Sequence, residues 1–163
     1  MVKKLIILLA VAFATFTGQA QAQDPKWQAW ETEADTLMSG EDFAAAAKLY
    51  TKVIDASKLK ERTDYRVLYK RGVAFYSQGD FKNAVSDMDR FIPQFQESYQ
   101  ARILRALCYR ELGETDKQLA DVEIALTLSG GDPQILKWRA GLLLEKKEYK
   151  QAIKAVSYTH LTL

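Results

Sequence analysis

The residue types that most often carry chemistry are scarce in this chain. Among 163 residues there is one histidine, His160, and one cysteine, Cys108. A nucleophile with a base to activate it, or a cage of metal ligands, needs several such groups brought together. No glycine-rich phosphate loop is present either. We therefore expect no enzyme, no cofactor, no metal site and no small-molecule substrate. Cys108 falls in an apolar helical pattern one residue before Tyr109, which suits a small apolar contact between helices better than a redox thiol.

One charged set is regularly placed. Arg71, Arg105 and Arg139 are 34 residues apart (105 minus 71, 139 minus 105), each just ahead of a small residue. At 100° per residue they flank an apolar stripe, where a long stem covers apolar surface and the head pairs with acids such as Asp87, Asp89 or Asp121. A ligand-binding arginine ladder is the alternative; the structural role is the expected one.

The first residues read differently from the rest. Lys3 and Lys4 precede the apolar run Leu5–Phe16, and Ala20-Gln21-Ala22 follows. This is the order of a secretory signal peptide over residues 1–22, cleaved after Ala22. The apolar run is short for a bilayer span, no later segment is apolar enough to attempt one, and Gln23 rather than a lipidatable cysteine follows the cleavage point. The expected mature chain is exported, with no membrane span, to the periplasm of a Gram-negative bacterium or beyond it. Without Lys3 and Lys4 it has 21 basic residues (23 minus 2) against 21 acidic. A neutral chain lacks the positive footprint of a nucleic-acid binder, so no nucleic-acid partner is expected. A single cysteine excludes an intramolecular disulfide, so stability must come from packing.

From Asp24 onward the pattern is helical, with proline only at 25, 93 and 133 and no strand-like alternation. Asp24-Pro25, Ser98 and Asp132-Pro133 are helix-start signals. Positions 43, 81, 115 and 149 (Phe, Phe, Thr, Tyr) are spaced by 38, 34 and 34 residues. Nine residues before them stand Ala34, Gly72, Ala106 and Ala140; three after stand Ala46, Ala84, Gln118 and Ala152. Larger residues fill two more columns: Leu37, Phe75, Tyr109 and Leu143, then Tyr50, Met88, Val122 and Val156. Columns in register mean a repeat.

These columns resemble the tetratricopeptide repeat family, whose unit is a pair of antiparallel helices with small residues at close contacts. The resemblance implies an all-α fold, an α-solenoid of antiparallel helix pairs over 23–156, with about four units near 27–60, 65–98, 99–132 and 133–163, the last incomplete. The second unit matches best, through Gly72, Phe75, Gly79, Asp80, Phe81 and Ala84; the first adds Trp30, Gly40, Phe43, Ala46 and Tyr50. Gln118, Thr115, Lys147 and Arg102 depart from the pattern, which makes the third unit the softest. The stretch Lys58–Asp64 reads as a lengthened loop between units. Ser157–Leu163 abandons the helical pattern and reads as an atypical tail, foreign to the array. Trp27 and Trp30 are expected to seal the N-terminal end of the core.

The resemblance also implies a function: a non-catalytic scaffold or adaptor in the cell envelope that holds a partner protein or peptide on the concave face made by the first helix of each unit. The expected contact residues are Arg66, Tyr69, Val73 and Tyr76, then Ile103, Leu107, Arg110 and Lys137, with Glu31 and Asp35 among the charged edges. The competing expectation for Tyr69, Tyr76, Ile103 and Leu107 is that they pack between repeats. Chaperone-binding members clamp a C-terminal carboxylate with lysine, asparagine and arginine; Glu31 and Asp35 stand there instead, so that clamp is not expected. The alternative function is the sensory region of a longer envelope signalling protein.

Overall fold

The computed structural model describes residues 25–146. The signal peptide, the Asp24 cap, Lys147, the second helix of the fourth unit and the tail at 157–163 lie outside the described residues. Within them the chain forms seven α-helices: α1 (Pro25–Ser39), α2 (Phe43–Ser57), α3 (Arg66–Ser77), α4 (Phe81–Phe91), α5 (Tyr99–Glu111), α6 (Thr115–Leu128) and α7 (Pro133–Glu145). A 3-10 turn, Arg62–Tyr65, precedes α3. The all-α expectation is met, with no strand among the described residues.

The same device closes three of the hairpins. The N–H of Asp42, Asp80 and Glu114 donates back to the carbonyl of Leu37, Phe75 and Tyr109, at 2.9, 2.8 and 2.8 Å. Such a six-to-one closure needs one residue in the left-handed region. Asp42 and Asp80 then turn to cap the next helix, their carboxylates accepting from the N–H of Ala45 and Asn83. Ser98 and Asp132 cap α5 and α7 in the same way. Glu114 makes no side-chain cap to α6, a local weakness in the third unit.

Gly79 (φ 87°) and Gly113 (φ 74°) take the left-handed position in their turns, but in the first unit Glu41 takes it (φ 63°) and Gly40 stands one residue too early. Gly40 is therefore not the turn glycine that the sequence pattern suggested. A side chain in this conformation costs about 1–2 kcal/mol. Glu41→Gly is expected to raise stability by roughly 0.5–1 kcal/mol, since glycine's greater freedom in the unfolded chain offsets part of the relief. Urea unfolding checks this; a variant less stable than the parent would mean that the Glu41 side chain contributes more than its backbone strain costs.

The chain divides into two compact units, Met1–Phe95 and Gln96–Leu163. In the first, α1 packs on α2, α2 on α3 and α3 on α4. Its deepest side chains include Ala34, Ala46, Tyr50, Leu68, Ala84, Met88 and Phe91, all 0–1% exposed. Gly72 is the close-approach position: a Cβ there would lie 2.6 Å from Met88 Cε, so the missing side chain is the space that Met88 of α4 fills. The lengthened loop is not loose. Arg62 donates from Nε to the Gln94 carbonyl at 2.7 Å and lies over the Phe95 ring at 4.3 Å, tying the turn to the end of α4.

In the second unit α5 packs on α6 and α6 on α7. Ala106, Leu119, Val122, Ala125, Ile135, Leu142 and Leu143 make one core cluster, with Tyr99, Ile103, Leu126 and Trp138 against it. Gln118 occupies the small-residue column and is nevertheless 2% exposed.

Candidate functional site

The arginine column is used structurally. Arg71 grips Asp87 with two parallel bonds, Nε to Oδ2 at 2.8 Å and Nη2 to Oδ1 at 2.6 Å, and its Nη1 donates to Thr51 Oγ1 at 3.0 Å. Arg105 grips Asp121 identically, both bonds at 2.7 Å. Arg139 reaches Glu123 at 3.0 Å. Burial raises the Asp87 carboxyl above the ordinary range, and Arg71 opposes that rise without cancelling it. Asp87 and Asp121 are the buried carboxylates that these arginines neutralise. Arg102, at a position where the repeat is apolar, also lies 3.5 Å from Asp121.

The two acids expected at the groove edge are not free either: they share one cation. Lys70 Nζ lies 2.6 Å from Glu31 and 2.7 Å from Asp35, and the Tyr50 hydroxyl donates to Asp35 at 2.6 Å. Burial would lower the Lys70 pKa, but Glu31 and Asp35 outweigh it and the net shift is upward. Burial, then the bond to Asp35, raises the Tyr50 phenol far above its usual value of 10.0. Both groups hold protons more tightly folded than unfolded, so their contribution is complete below about pH 10 and is lost as pH rises through the folded-state values. The melting temperature should be flat across neutral pH and fall above pH 10, with Tyr50→Phe showing a shallower fall; an identical slope in that variant would remove Tyr50 from the account.

The expected concave-face residues separate into two classes. Tyr69, Val73, Tyr76 and Leu107 are 3%, 0%, 6% and 6% exposed. Tyr69 packs 5.5 Å from Phe91 and Tyr76 meets Phe81 edge-on at 5.6 Å. Their apolar area is already removed from water by the fold, so the expectation that they offer a free contact surface gives way to the packing alternative. Arg66 and Ile103 are half-buried, Ile103 against the core of the second unit, while Arg110 and Lys137 are exposed.

Arg110 and Lys137 are brought to one place. A cleft of about 670 Å³ in the second unit runs along α7 and over the α5–α6 turn, lined by Arg110, Gln118, Lys137, Trp138, Leu142 and Glu145 among others. Gln134 and Gly141, on the same face of α7 as Lys137, line it too. Arg110 is held by Glu111 at 2.7 Å. Lys137 has no ion pair with any described residue. The buried Gln118 Nε2 has no hydrogen-bond partner among the described residues. Nothing in the periodicity marks Trp138 or Leu142 as lining, since both also belong to the core. Gln118 was visible as a departure from the small-residue column, and Glu145 carried no signal.

No catalytic constellation is found among the described residues. Cys108 is fully buried, and burial pushes its thiol up to about 12, so the nucleophilic thiolate is suppressed at neutral pH. No group of three or more histidine, cysteine or acidic side chains placed to hold a metal occurs among the described residues. No described helix is long and apolar enough to cross a membrane.

The sequence pattern that defines the tetratricopeptide repeat matches residues 31–97 and again 69–133. The chain belongs to the tetratricopeptide repeat family. The two overlapping matches cover more than half of it, and the Gly72 approach and the repeated turn closures are that family's helix-pair packing. No curated protein is significantly similar to the chain. Among solved structures, a tetratricopeptide repeat protein from Parabacteroides merdae is 19% identical, with a TM-score of 0.76 over 81% of this chain and 51% of that one. MamA from Desulfovibrio magneticus is 14% identical, with a TM-score of 0.72 over 81% of this chain and 72% of that one. The first repeat domain of Spaghetti, solved bound to the HSP90 peptide SRMEEVD, is 16% identical, with a TM-score of 0.61 over 83% of this chain and 97% of that one. At these identities the likeness is one of fold: a tetratricopeptide α-solenoid.

Proposed function

We propose that this tetratricopeptide repeat protein is a non-catalytic adaptor that holds a segment of a partner protein, and that it acts in the cell envelope after export. The observation that carries the binding reading is the cleft of the second unit. It gathers exposed charge and an aromatic side chain on three helices of a family built for protein contacts. The peptide-bound Spaghetti domain supports it, since the same fold there accommodates a short peptide. Of the concave-face residues, Arg66, Ile103, Arg110 and Lys137 retain exposed surface for such contact. Export is supported by Lys3, Lys4, the apolar run and Ala20-Gln21-Ala22.

Two measurements test the reading. A photocrosslinking residue at Gln134, inside the cleft, should give a discrete adduct in the native cell, whereas the same residue at the exposed Lys48 of α2 should not. Equal or no adducts at both positions would overturn the adaptor role. N-terminal sequencing of the protein from the envelope fraction should begin at Gln23; an intact Met1 in the cytoplasmic fraction would overturn export.

A further inference from the structure

We propose that the second unit opens by itself, as one cooperative block, while the first unit stays folded, so that local unfolding removes and restores the cleft. This goes beyond the adaptor reading and does not depend on it.

The unmet polar groups point to the block. Two buried side-chain nitrogens, Arg102 Nε and Gln118 Nε2, have no hydrogen-bond partner among the described residues, and both belong to the second unit. Neither presents surface that water can reach. The closed form therefore carries a desolvation cost that the open form, with both groups hydrated, does not. For Gln118 the cause is visible in the repeat: Ala46 and Ala84 fill the same column in the earlier units, and a terminal amide stands where a methyl stands elsewhere.

The helix ends point the same way. α2 and α4 each begin with a carboxylate, of Asp42 or Asp80, that accepts from the first turn of the helix. α6 has no such cap; Glu114, one methylene longer, lies at the surface with Lys117 at 2.5 Å. Its first turn is held less firmly for that reason. At the other end of α6, Gly130 and Gly131 take consecutive left-handed conformations, φ 70° and 90°. Glycines regain the most backbone freedom when a segment opens.

The block also holds together internally more than it is held shut. Its core cluster, with Ala106, Leu119, Val122 and Leu143, draws every member from the second unit, and the Arg105–Asp121 clamp ties α5 to α6. The three helices therefore open together. α7 is tied to α6 by Arg139–Glu123 at 3.0 Å and Lys146–Asp116 at 2.7 Å, but both acids are exposed, so these ties add little. Ile124, Leu128 and Leu144 stand exposed, and apolar surface already in water does nothing to keep the block closed. The whole lining of the cleft belongs to this block, so an occupant of the cleft binds only the closed form and shifts the equilibrium towards it.

Cys108 is the reporter. It is the one cysteine of the chain and is buried on α5, so a thiol reagent reaches it only after opening and reacts in proportion to the open population. In the full-length protein without a partner, Cys108 labelling and hydrogen exchange at Val122 and Leu143 should share one opening step. The urea dependence of that step should be well below that of global unfolding, while the amides of Tyr50 and Met88 exchange only with the global value. Gln118→Met, which keeps the length and removes the amide, should slow Cys108 labelling about tenfold. Glu114→Asp, which supplies the residue found at 42 and 80, should slow it about threefold. Tyr50→Phe removes a bond to Asp35 in the first unit; it should lower global stability and leave Cys108 labelling unchanged, because the first unit is folded on both sides of the opening step. If Gln118→Met does not fold, Glu114→Asp makes the same comparison at a turn.

Cys108 labelling with the urea dependence of exchange at Tyr50 and Met88 overturns the proposal, as does a Tyr50→Phe effect on labelling equal to its effect on global stability. Partial opening at Val122 and Leu143 with Cys108 protected to the global limit overturns the boundary at Phe95, since α5 would then belong with the first unit. Unchanged labelling in both Gln118→Met and Glu114→Asp overturns the cause assigned to the opening.

Discussion

Arg71→Ala is expected to destabilise the first unit by about 3–5 kcal/mol, because it strands a buried carboxylate rather than removing a surface ion pair. Asp87 is 2% exposed and receives both of its short bonds from Arg71. The size of the loss should depend on pH. Burial already raises the Asp87 carboxyl, and without Arg71 nothing of comparable strength opposes that rise. Its folded-state value then lies further above the unfolded value of 3.8. A proton is taken up more readily folded than unfolded, so the variant should regain stability as pH falls and lose it as pH rises. Urea unfolding at pH 5 and pH 8 should show the larger deficit at pH 8. A pH-independent deficit below about 1 kcal/mol would be that of an exposed pair, contradicting the burial of Asp87.

Tyr69→Ala should cost about 3–5 kcal/mol, as expected for removing a buried aromatic ring. The ring lies 5.5 Å from Phe91, which stacks on Phe95 at 4.6 Å and 16°. On this account a Tyr69 variant that fails to capture a partner has lost its fold first, so its helix signal must be measured beside its binding. If Tyr69→Ala leaves the urea midpoint unchanged, the side chain belongs to the surface and the earlier concave-face expectation returns. Lys137 differs from Tyr69: it is exposed, and on the adaptor reading Lys137→Gln should change binding with little change in stability.

Much of the fold is legible along the chain because helix packing is periodic and local. Ala34, Gly72, Ala106 and Ala140 read as close contacts, and all four are buried. Tyr50, Met88 and Val122 read as fillers and are 0–1% exposed. Ser98 and Asp132 read as caps and accept the expected backbone bonds. Of Asp87, Asp89 and Asp121, the acids expected opposite the arginine column, Asp87 pairs with Arg71 and Asp121 with Arg105, while Arg139 pairs with Glu123. These features depend on residues within one helix or in adjacent helices, where 100° per residue is enough to place them.

The candidate site was legible only in part. Periodicity says which way Tyr69, Val73, Tyr76 and Leu107 point along a helix; it does not say what lies there. Tertiary packing decides that, and it covers all four. Glu31 and Asp35 look like free acids until α1 and α3 bring them to Lys70. The left-handed turn position is another case: Gly40 is one residue early, and hairpin geometry puts the strain on Glu41. Gln118 stood out as a misfit in a small column, but only the packing of α5, α6 and α7 shows an amide buried with its donor unmet beside a cleft. The sequence by itself determined an all-α repeat built on small-residue contacts, since that follows from local periodicity. The tertiary structure decided which polar groups are paired and which are buried, because charge pairing and burial depend on distances between helices that a linear pattern does not contain.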